Sequence, residues 1–409
     1  MITRRHVLSG ATLLASGLGL LRGRMANALP ADPTEPDHPR PYTPVITPNG
    51  TTLPWTRKDG AKEFHLVAEP VKREFAPGMV VDCWGYNGQT PGPTIEVVEG
   101  DRVRLFVTNN LPERTSMHWH GALLPNGMDG VAGLVQPHIQ PGETYVYEFT
   151  LRQHGTLLYH PHSDEMVQMA LGMMGFFIVH PKLGPRVDRD FAIMLHEWAI
   201  PPGTSRPNPS VMTDFNIFTF NSRVWPGTDP LVIKQGERVR VRLGNLSMDN
   251  HPIHIHGHRF EVTGTDGGPI PQSARHRENT VDVPVGATRD FEFVADEPGD
   301  WPLHCHKSHH TMNAMSHDLP NVIGIAPSDD AARLREVLPG YMAMGSTGMG
   351  AMMNMGTPKN TLPMMSGKGP FGDIEMGGMF TVMKIRKGLT SYADPGWYDQ
   401  PEGTRARKV

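Results

Sequence analysis

The chain has 409 residues, enough for two or three domains of ordinary size, and its 38% hydrophobic and 20% charged residues are those of a globular protein with a core to bury. A formal charge of −4 at pH 7 offers no basic excess of the kind nucleic acid binds, so a nucleic-acid partner is not expected.

The first residues, MITRRHVLSGATLLASGLGLLRGRMANA, read as an export signal. Thr3-Arg4-Arg5 resembles a twin-arginine motif, the apolar stretch 10–21 is too short to span a bilayer, and Ala26-Asn27-Ala28 has the small residues of a cleavage site. A mature chain beginning near Leu29 in the bacterial periplasm or outside the cell is expected. No other long apolar run follows, so no membrane insertion is expected after cleavage. Losing Arg4, Arg5, Arg22 and Arg24 and no acid leaves the remainder more acidic still. In an oxidising compartment, the plainest reading of Cys83 and Cys305 is one disulfide.

Strand patterns dominate what comes next. TIEVVEGDRVRLFVTN, TYVYEFTL, LVIKQGERVRVRLGN and RDFEFVAD alternate or run apolar, with Gly, Pro and Asn between them, and no long 3.6-residue period intervenes. This predicts an all-β chain of sandwich type. The pattern is also duplicated: residues 100–118 align without a gap with 236–254, and 142–162 with 286–306. Two copies of one domain are expected, over 29–182 (with an N-terminal extension) and 183–328.

Each duplicated segment ends on a histidine pair: His118/His120, His160/His162, His254/His256 and His304/His306. Residues i and i+2 of a strand point to the same side, so every pair presents two imidazoles to one face. One such pair alone is more simply a solvated face; four at equivalent positions of two repeats would converge eight imidazoles on one site. Neutral imidazole binds copper, zinc and iron, and this number of donors suits a cluster of ions.

Cys305 lies between His304 and His306, so its sulfur points to the opposite face of that strand. His251, three residues before His254, shares this opposite parity, and His310 and Met315 follow in the next loop. One cysteine, two histidines and a methionine make the donor set of a blue-copper electron-transfer site. A thiolate so used has no disulfide to make, which leaves Cys83 as a buried strand thiol. The first repeat carries Thr115, Pro161, Met166 and Leu171 at the aligned positions, so it lacks this site.

The segments HWHG, YHPH, HPIHIHGH and HCHKSHHTMNAM, in this order and spacing, resemble the four copper-binding motifs of the multicopper oxidases, the family of laccases, ascorbate oxidase and copper-efflux oxidases. The resemblance covers roughly residues 75–325 and implies two cupredoxin-like Greek-key β-sandwich domains in tandem. It implies four copper ions per active unit. His118 and His254 would hold type 2, His120, His160, His162, His256, His304 and His306 the type 3 pair, and His251, Cys305, His310 and Met315 type 1. One-electron oxidations at type 1 would then be coupled to reduction of O2 to water. Only residues 163–250 lie between the second and third motifs, too few for an additional domain, so the chain is similar to the two-domain oxidases, or small laccases. In those relatives the cluster forms between subunits of a homotrimer, which is the expected assembly. Asp129 falls where the family has an acid assisting proton delivery, although Asp before Gly130 is equally a turn residue. Thr311 stands where some relatives have a second acid. His258, His276, His309 and His317 carry no family role and are read as surface or hydrogen-bonding residues.

From 329 to 409 the composition changes. Eleven of the chain's 25 methionines lie between positions 342 and 383, among Gly, Pro and Ser and without a helical period, which reads as a flexible arm. The segment 379–388, MFTVMKIRKG, reads as a strand that returns to the body. Thioether sulfur selects Cu(I), so oxidation of Cu(I) in copper tolerance is the leading expectation, with the arm gathering the ion. The alternatives are a laccase-like oxidase of phenols and aromatic amines, taking electrons near an exposed His310, and a copper-storage protein without turnover. Adaptable packing is the plain alternative for the methionines.

Overall fold

The computed structural model describes residues 42–313, 336–337, 359–363 and 367–409. The expected export segment, residues 1–28, together with Met315, His317 and most of the methionine arm, lies outside the described residues. None of the described helices is long and apolar enough to cross a membrane.

Strand Arg102–Asn109 shows why the chain folds as it does. Its residues alternate between outside and inside, with Val103, Leu105 and Val107 fully buried and Arg102, Arg104 and Phe106 turned away from the core. This strand pairs in parallel with Ala61–Ala76 and antiparallel with Thr144–Thr150. A second sheet runs in the order Ile95–Val98, Gly175–His180, Gly155–His160, His118–His120. Trp119, Tyr147, Phe149, Tyr159 and Phe177 fill the space between these two sheets. Burying side chains of this size is the main stabilising term, about 1.5–3 kcal/mol each.

The second sandwich repeats the arrangement. Arg238–Asn245 pairs in parallel with Arg189–Trp198 and antiparallel with Ala287–Val294. Opposite it lies a sheet ordered Leu231–Lys234, Phe380–Arg386, Gly299–Cys305, His251–Ile255, Thr280–Val283. In this sheet Phe380–Arg386 is parallel to Leu231–Lys234 and antiparallel to Gly299–Cys305, as Gly175–His180 is to Ile95–Val98 and Gly155–His160 in the first sandwich. The returning strand is therefore the last strand of the second sandwich, and most of the methionine-rich stretch precedes it in the sequence.

The sandwiches pack through Leu158, Met174, Phe176 and Ile178 of the first against Ala192, Met194 and Leu246 of the second. A buried ionic cluster crosses the same boundary. Arg242 makes two 2.8 Å bonds to Asp190, donates to Thr156 Oγ1 of the first sandwich at 2.7 Å, and meets Asp290 at 3.4 Å. Beyond Phe380–Arg386 the chain is clasped to the second sandwich by Lys384–Asp394, by Tyr398 N donating to Asp300 Oδ2 at 2.7 Å and by the Arg189 guanidinium lying 3.8 Å from the Tyr392 ring centre.

Candidate metal centres

Strand parity separates the donors onto two faces. In His251–Ile255, His251, Ile253 and Ile255 are buried while Pro252 and His254 face outward. His254 pairs with His304 and Ile253 with Cys305 in the adjacent strand, so each face of this strand pair collects its own set. Behind it, His251 Nδ1 lies 3.0 Å from His310 Nδ1, and Cys305 Sγ lies 3.4 Å from His310 Nδ1 and 4.0 Å from His251 Nδ1. All three residues are fully buried. Burial holds His251 down to about 3 and His310 to about 2, so both imidazoles keep a lone pair, while burial pushes the Cys305 thiol up to about 12. Three soft or borderline donors, all within 4.8 Å of one another, fit copper better than a hard cation.

The loop that brings in His310 is a 3-10 turn, Ser308–Thr311. His310 O accepts from Met379 N at 3.0 Å and Thr311 O from Gly377 N at 2.7 Å. Gly378 makes this approach possible. Its φ is +55°, and a Cβ there would stand 2.2 Å from His310 O. His310 is not exposed, in contrast to the sequence-based expectation. Its ring stacks on Phe218 with centroids 4.1 Å apart, and its Nε2 faces Asp249 at 3.6 Å. Met315 lies outside the described residues.

One histidine group lies on the paired strands His118–His120 and Gly155–His160 of the first sandwich, and a second lies in front of the strand pair that carries His254 and His304. His118, His120 and His160 form one, with His120 Nδ1 3.2 Å from His160 Nε2; His254, His256 and His304 form the other, with His256 Nε2 3.2 Å from His304 Nε2. His162 and His306 stand at the rims, with ring centroids 5.7 Å from His118 and 5.4 Å from His254 respectively. Carbonyl oxygens fix the tautomers. The Nδ1–H groups of His118, His160, His254 and His304 donate to Asp129 O, Pro161 O, Asn279 O and Cys305 O at 2.7–2.9 Å, which leaves each Nε2 as the donor atom for a metal. Burial lowers His160 to about 3 and His304 to about 4; it also lowers His120 and His256, with neighbouring imidazoles adding to the effect.

The two groups do not meet within the chain. The first lines a cavity of about 720 Å³ and His254 and His256 line another of about 790 Å³, with no lining residue in common. Asp129 sits beside the first group, its carboxylate 3.6 Å from His118 Nδ1. Gly130 sets this contact, because its φ is +83° and a Cβ would overlap Met117 O.

Several residues were not singled out by the sequence. Glu165 opens the helix Glu165–Ala170 and lies 3.6 Å from His160 Nδ1 and 3.9 Å from His162 Nε2. Asp249 faces His310, and His196 and Glu197 line the cavity of the first histidine group. Glu165, five residues after His160, and Asp249, two before His251, had a local signal; His196 and Glu197 had none. At the positions aligned with the thiolate site, the first sandwich has Thr115 donating to Gln168 Oε1 at 2.7 Å and a fully buried Leu171, a packed substitute for a metal centre. Cys83 and Cys305 are both unbridged; Cys83 is buried among Val71, Phe75, Val81 and Trp198. His258 is buried and donates from Nδ1 to His256 O at 3.2 Å, His276 bonds Glu278 at 2.6 Å, and His309 is exposed, edge-on to the His310 ring.

Sequence profiles described as multicopper oxidase match residues 68–184 and 201–323, together more than half of the chain. A crystal structure of a blue copper oxidase from Nitrosomonas europaea is similar at 27% identity and a TM-score of 0.59, covering 79% of this chain and 85% of that one. A solved multicopper oxidase, mgLAC, is similar at 28% identity and a TM-score of 0.60, covering 82% and 91%. A copper resistance protein A homolog of Pseudomonas syringae pv. tomato is 45% identical over 201 residues, 48% of this chain and 30% of that protein. The chain spans less than half the length of the curated relatives it matches. The profile matches, the all-β sandwich fold and the buried His251–Cys305–His310 set together place this chain in the multicopper oxidase family.

Proposed function

We propose that the chain is an exported, two-domain multicopper oxidase that couples one-electron oxidation of Cu(I) to four-electron reduction of O2 to water. The observation that carries the reading is the pair of strands His251–Ile255 and Gly299–Cys305, with a buried His2Cys set on one face and imidazoles aimed off the other. A storage protein needs thioethers but not these two sets back to back.

In this reading His251, Cys305, His310 and Met315 hold type 1 copper, His118 and His254 type 2, and His120, His160, His162, His256, His304 and His306 the type 3 pair. When bound, copper supplies the one-electron chemistry at the first set and the reduction of O2 at the second. The protein's own part is to keep donors neutral, dry and oriented. Carbonyl oxygens hold four imidazoles in one tautomer, and Phe218 fixes the His310 ring. The backbone of residues 304–306 joins the sets by covalent bonds alone. Asp129 and Glu165 are the carboxylates within 4 Å of cluster histidines and are placed to hold protons that O2 reduction consumes.

Because the two histidine groups line separate cavities, a complete cluster in this reading needs the first sandwich of one chain and the second of another, which supports a homotrimer. Arg4-Arg5 and the small residues at 26–28 support export by the twin-arginine route to the periplasm or beyond. The methionine count between 342 and 383, together with the likeness to a protein named for copper resistance, favours Cu(I) over phenols as reductant. Oxygen consumption by copper-loaded protein tests this. Cu(I) should be consumed at four ions per O2 and with a higher kcat/KM than any phenol or aromatic amine. A phenol preferred over Cu(I) would assign the laccase-like activity, and no uptake with either would leave storage.

A further inference from the structure

The two imidazoles of the thiolate site differ in what their outer nitrogens meet. Both present Nδ1 toward the Cys305 sulfur, so Nδ1 is the donor atom for a metal and Nε2 carries the ring proton. His251 Nε2–H donates to Ser247 Oγ at 2.9 Å, and that hydroxyl in turn donates to Asn245 Oδ1 at 2.7 Å. His310 Nε2 is buried and has no hydrogen bond. An acceptor stands beside it, because Asp249 Oδ2 is 3.6 Å away, but at that distance it does not accept. The carboxylate is held by its other oxygen, where Lys307 Nζ donates to Asp249 Oδ1 at 2.7 Å. Lys307 is itself tied to the turn that carries His310, since its carbonyl accepts from His310 N at 2.9 Å.

We propose that Lys307 is a positioning residue that keeps the thiolate site at a high reduction potential by holding the Asp249 carboxylate off His310 Nε2–H, a role that rests on the type 1 assignment above. A carboxylate that accepts the outer N–H of a ligating imidazole makes the ring a stronger base, and a stronger base favours the more highly charged, oxidised ion. Such a charge-assisted bond is roughly twice as strong as one to a neutral acceptor, the kind His251 makes to Ser247. Asp249 is half-buried and has room to turn. Released from Lys307, it needs to close only about 0.8 Å to reach the range of a charge-assisted bond to His310. The ion pair therefore spends the carboxylate on an ammonium and leaves His310 the weaker base. A high potential suits reductants that release an electron reluctantly, Cu(I) held by thioethers among them.

The test compares copper-loaded parent protein with Lys307→Met, and with Lys307→Gln in its place should the first variant not fold. Redox titration of the intense visible absorption should give a midpoint lower by about 59 mV, which is a tenfold rise in the preference of the site for Cu(II) over Cu(I) and the low end of what outer hydrogen bonds to a ligand do. In the fully reduced, diamagnetic protein the His310 Nε2–H proton resonance, identified through the Phe218 ring stacked 4.1 Å away, should move downfield and exchange more slowly. Lys307→Arg should keep the parent values. Lys307→Met/Asp249→Ala should lose the downfield shift and recover the higher midpoint, because no carboxylate is left to swing onto His310. An unchanged midpoint in Lys307→Met would overturn the proposal. So would a lower midpoint with an unmoved resonance, which would mean that Lys307 acts by its charge alone and not through Asp249. Parent protein that develops no intense visible absorption on copper loading would instead remove the type 1 assignment itself.

Discussion

Metal binding at the thiolate site should release one proton per ion, and that proton should come from Cys305. The thiol is pushed up to about 12 by burial, whereas His251 and His310 sit at about 3 and 2. Between pH 4 and pH 10 the empty site therefore holds one proton, on sulfur. A raised thiol pKa keeps that proton on throughout the window, so apparent metal affinity should climb tenfold for each unit of rising pH. Ionising the thiol at pH 7 costs about 7 kcal/mol at roughly 1.4 kcal/mol per unit. Dedicated sites for a divalent ion reach about 10–16 kcal/mol, which exceeds this cost, so the thiolate exists only with its metal. Co(II) avoids redox chemistry with sulfur and reports thiolate ligation through its charge-transfer band. Calorimetric titration in two buffers of different ionisation enthalpy should give one proton per Co(II) in step with that band, at pH 6 and pH 8 alike. In Cys305→Ser the band, the intense visible absorption of the copper form and the proton should all vanish, while copper at the front-face histidines is retained. Release of no proton would mean a thiol already ionised, and two would mean an imidazole protonated in the resting site; either result refutes the electrostatic argument.

Light scattering of copper-loaded protein should give three chains per particle, because neither histidine group completes a cluster within its own chain; an active, fully loaded monomer would refute the intersubunit cluster. Arg242→Met should destabilise by about 3–5 kcal/mol in urea unfolding, since it leaves Asp190 buried without its two 2.8 Å bonds. Adding Asp190→Asn should recover part of that loss, and strict additivity would exclude a coupled pair. Deleting residues 340–358 spares Asn360 and Leu362, which anchor to the Val80 backbone and to the Phe75–Trp198 cluster. If the arm gathers Cu(I), this deletion should lower kcat/KM for Cu(I) through KM and leave phenol oxidation unchanged or faster; a changed phenol rate with an unchanged Cu(I) rate would make the arm a lid.

Much of the metal chemistry was legible in the sequence because it is encoded at short range. A period of two decides which face His254, His304 and Cys305 occupy, and the duplicated 100–118 and 236–254 segments carry that reading from one sandwich to the other. What could not be read depends on contacts between distant segments. His196 and Glu197 sit in the apolar strand Arg189–Trp198 and look like core positions until the loop carrying Ser247 and Met248 folds over them. The burial of His310 comes from Phe218 and from the residues around Gly378, neither of which is near it in sequence. Composition marks 329–409 as separate from the second domain. Sheet pairing places Phe380–Arg386 inside it, because hydrogen bonding along the Cys305 strand outweighs the break in composition before it.

That pairing also sets an order of events in biosynthesis. The strand ending in Cys305 lies between His251–Ile255 and Phe380–Arg386, so until residue 386 has emerged from the ribosome one whole edge of it is unpaired. A nascent chain that has already made every histidine and the cysteine still lacks the backbone that presses His310 into place. The thiolate site should thus mature late, after synthesis of the methionine-rich stretch. Premature termination anywhere within that stretch would yield a chain carrying the complete metal-binding motifs and no rigid centre to hold a metal.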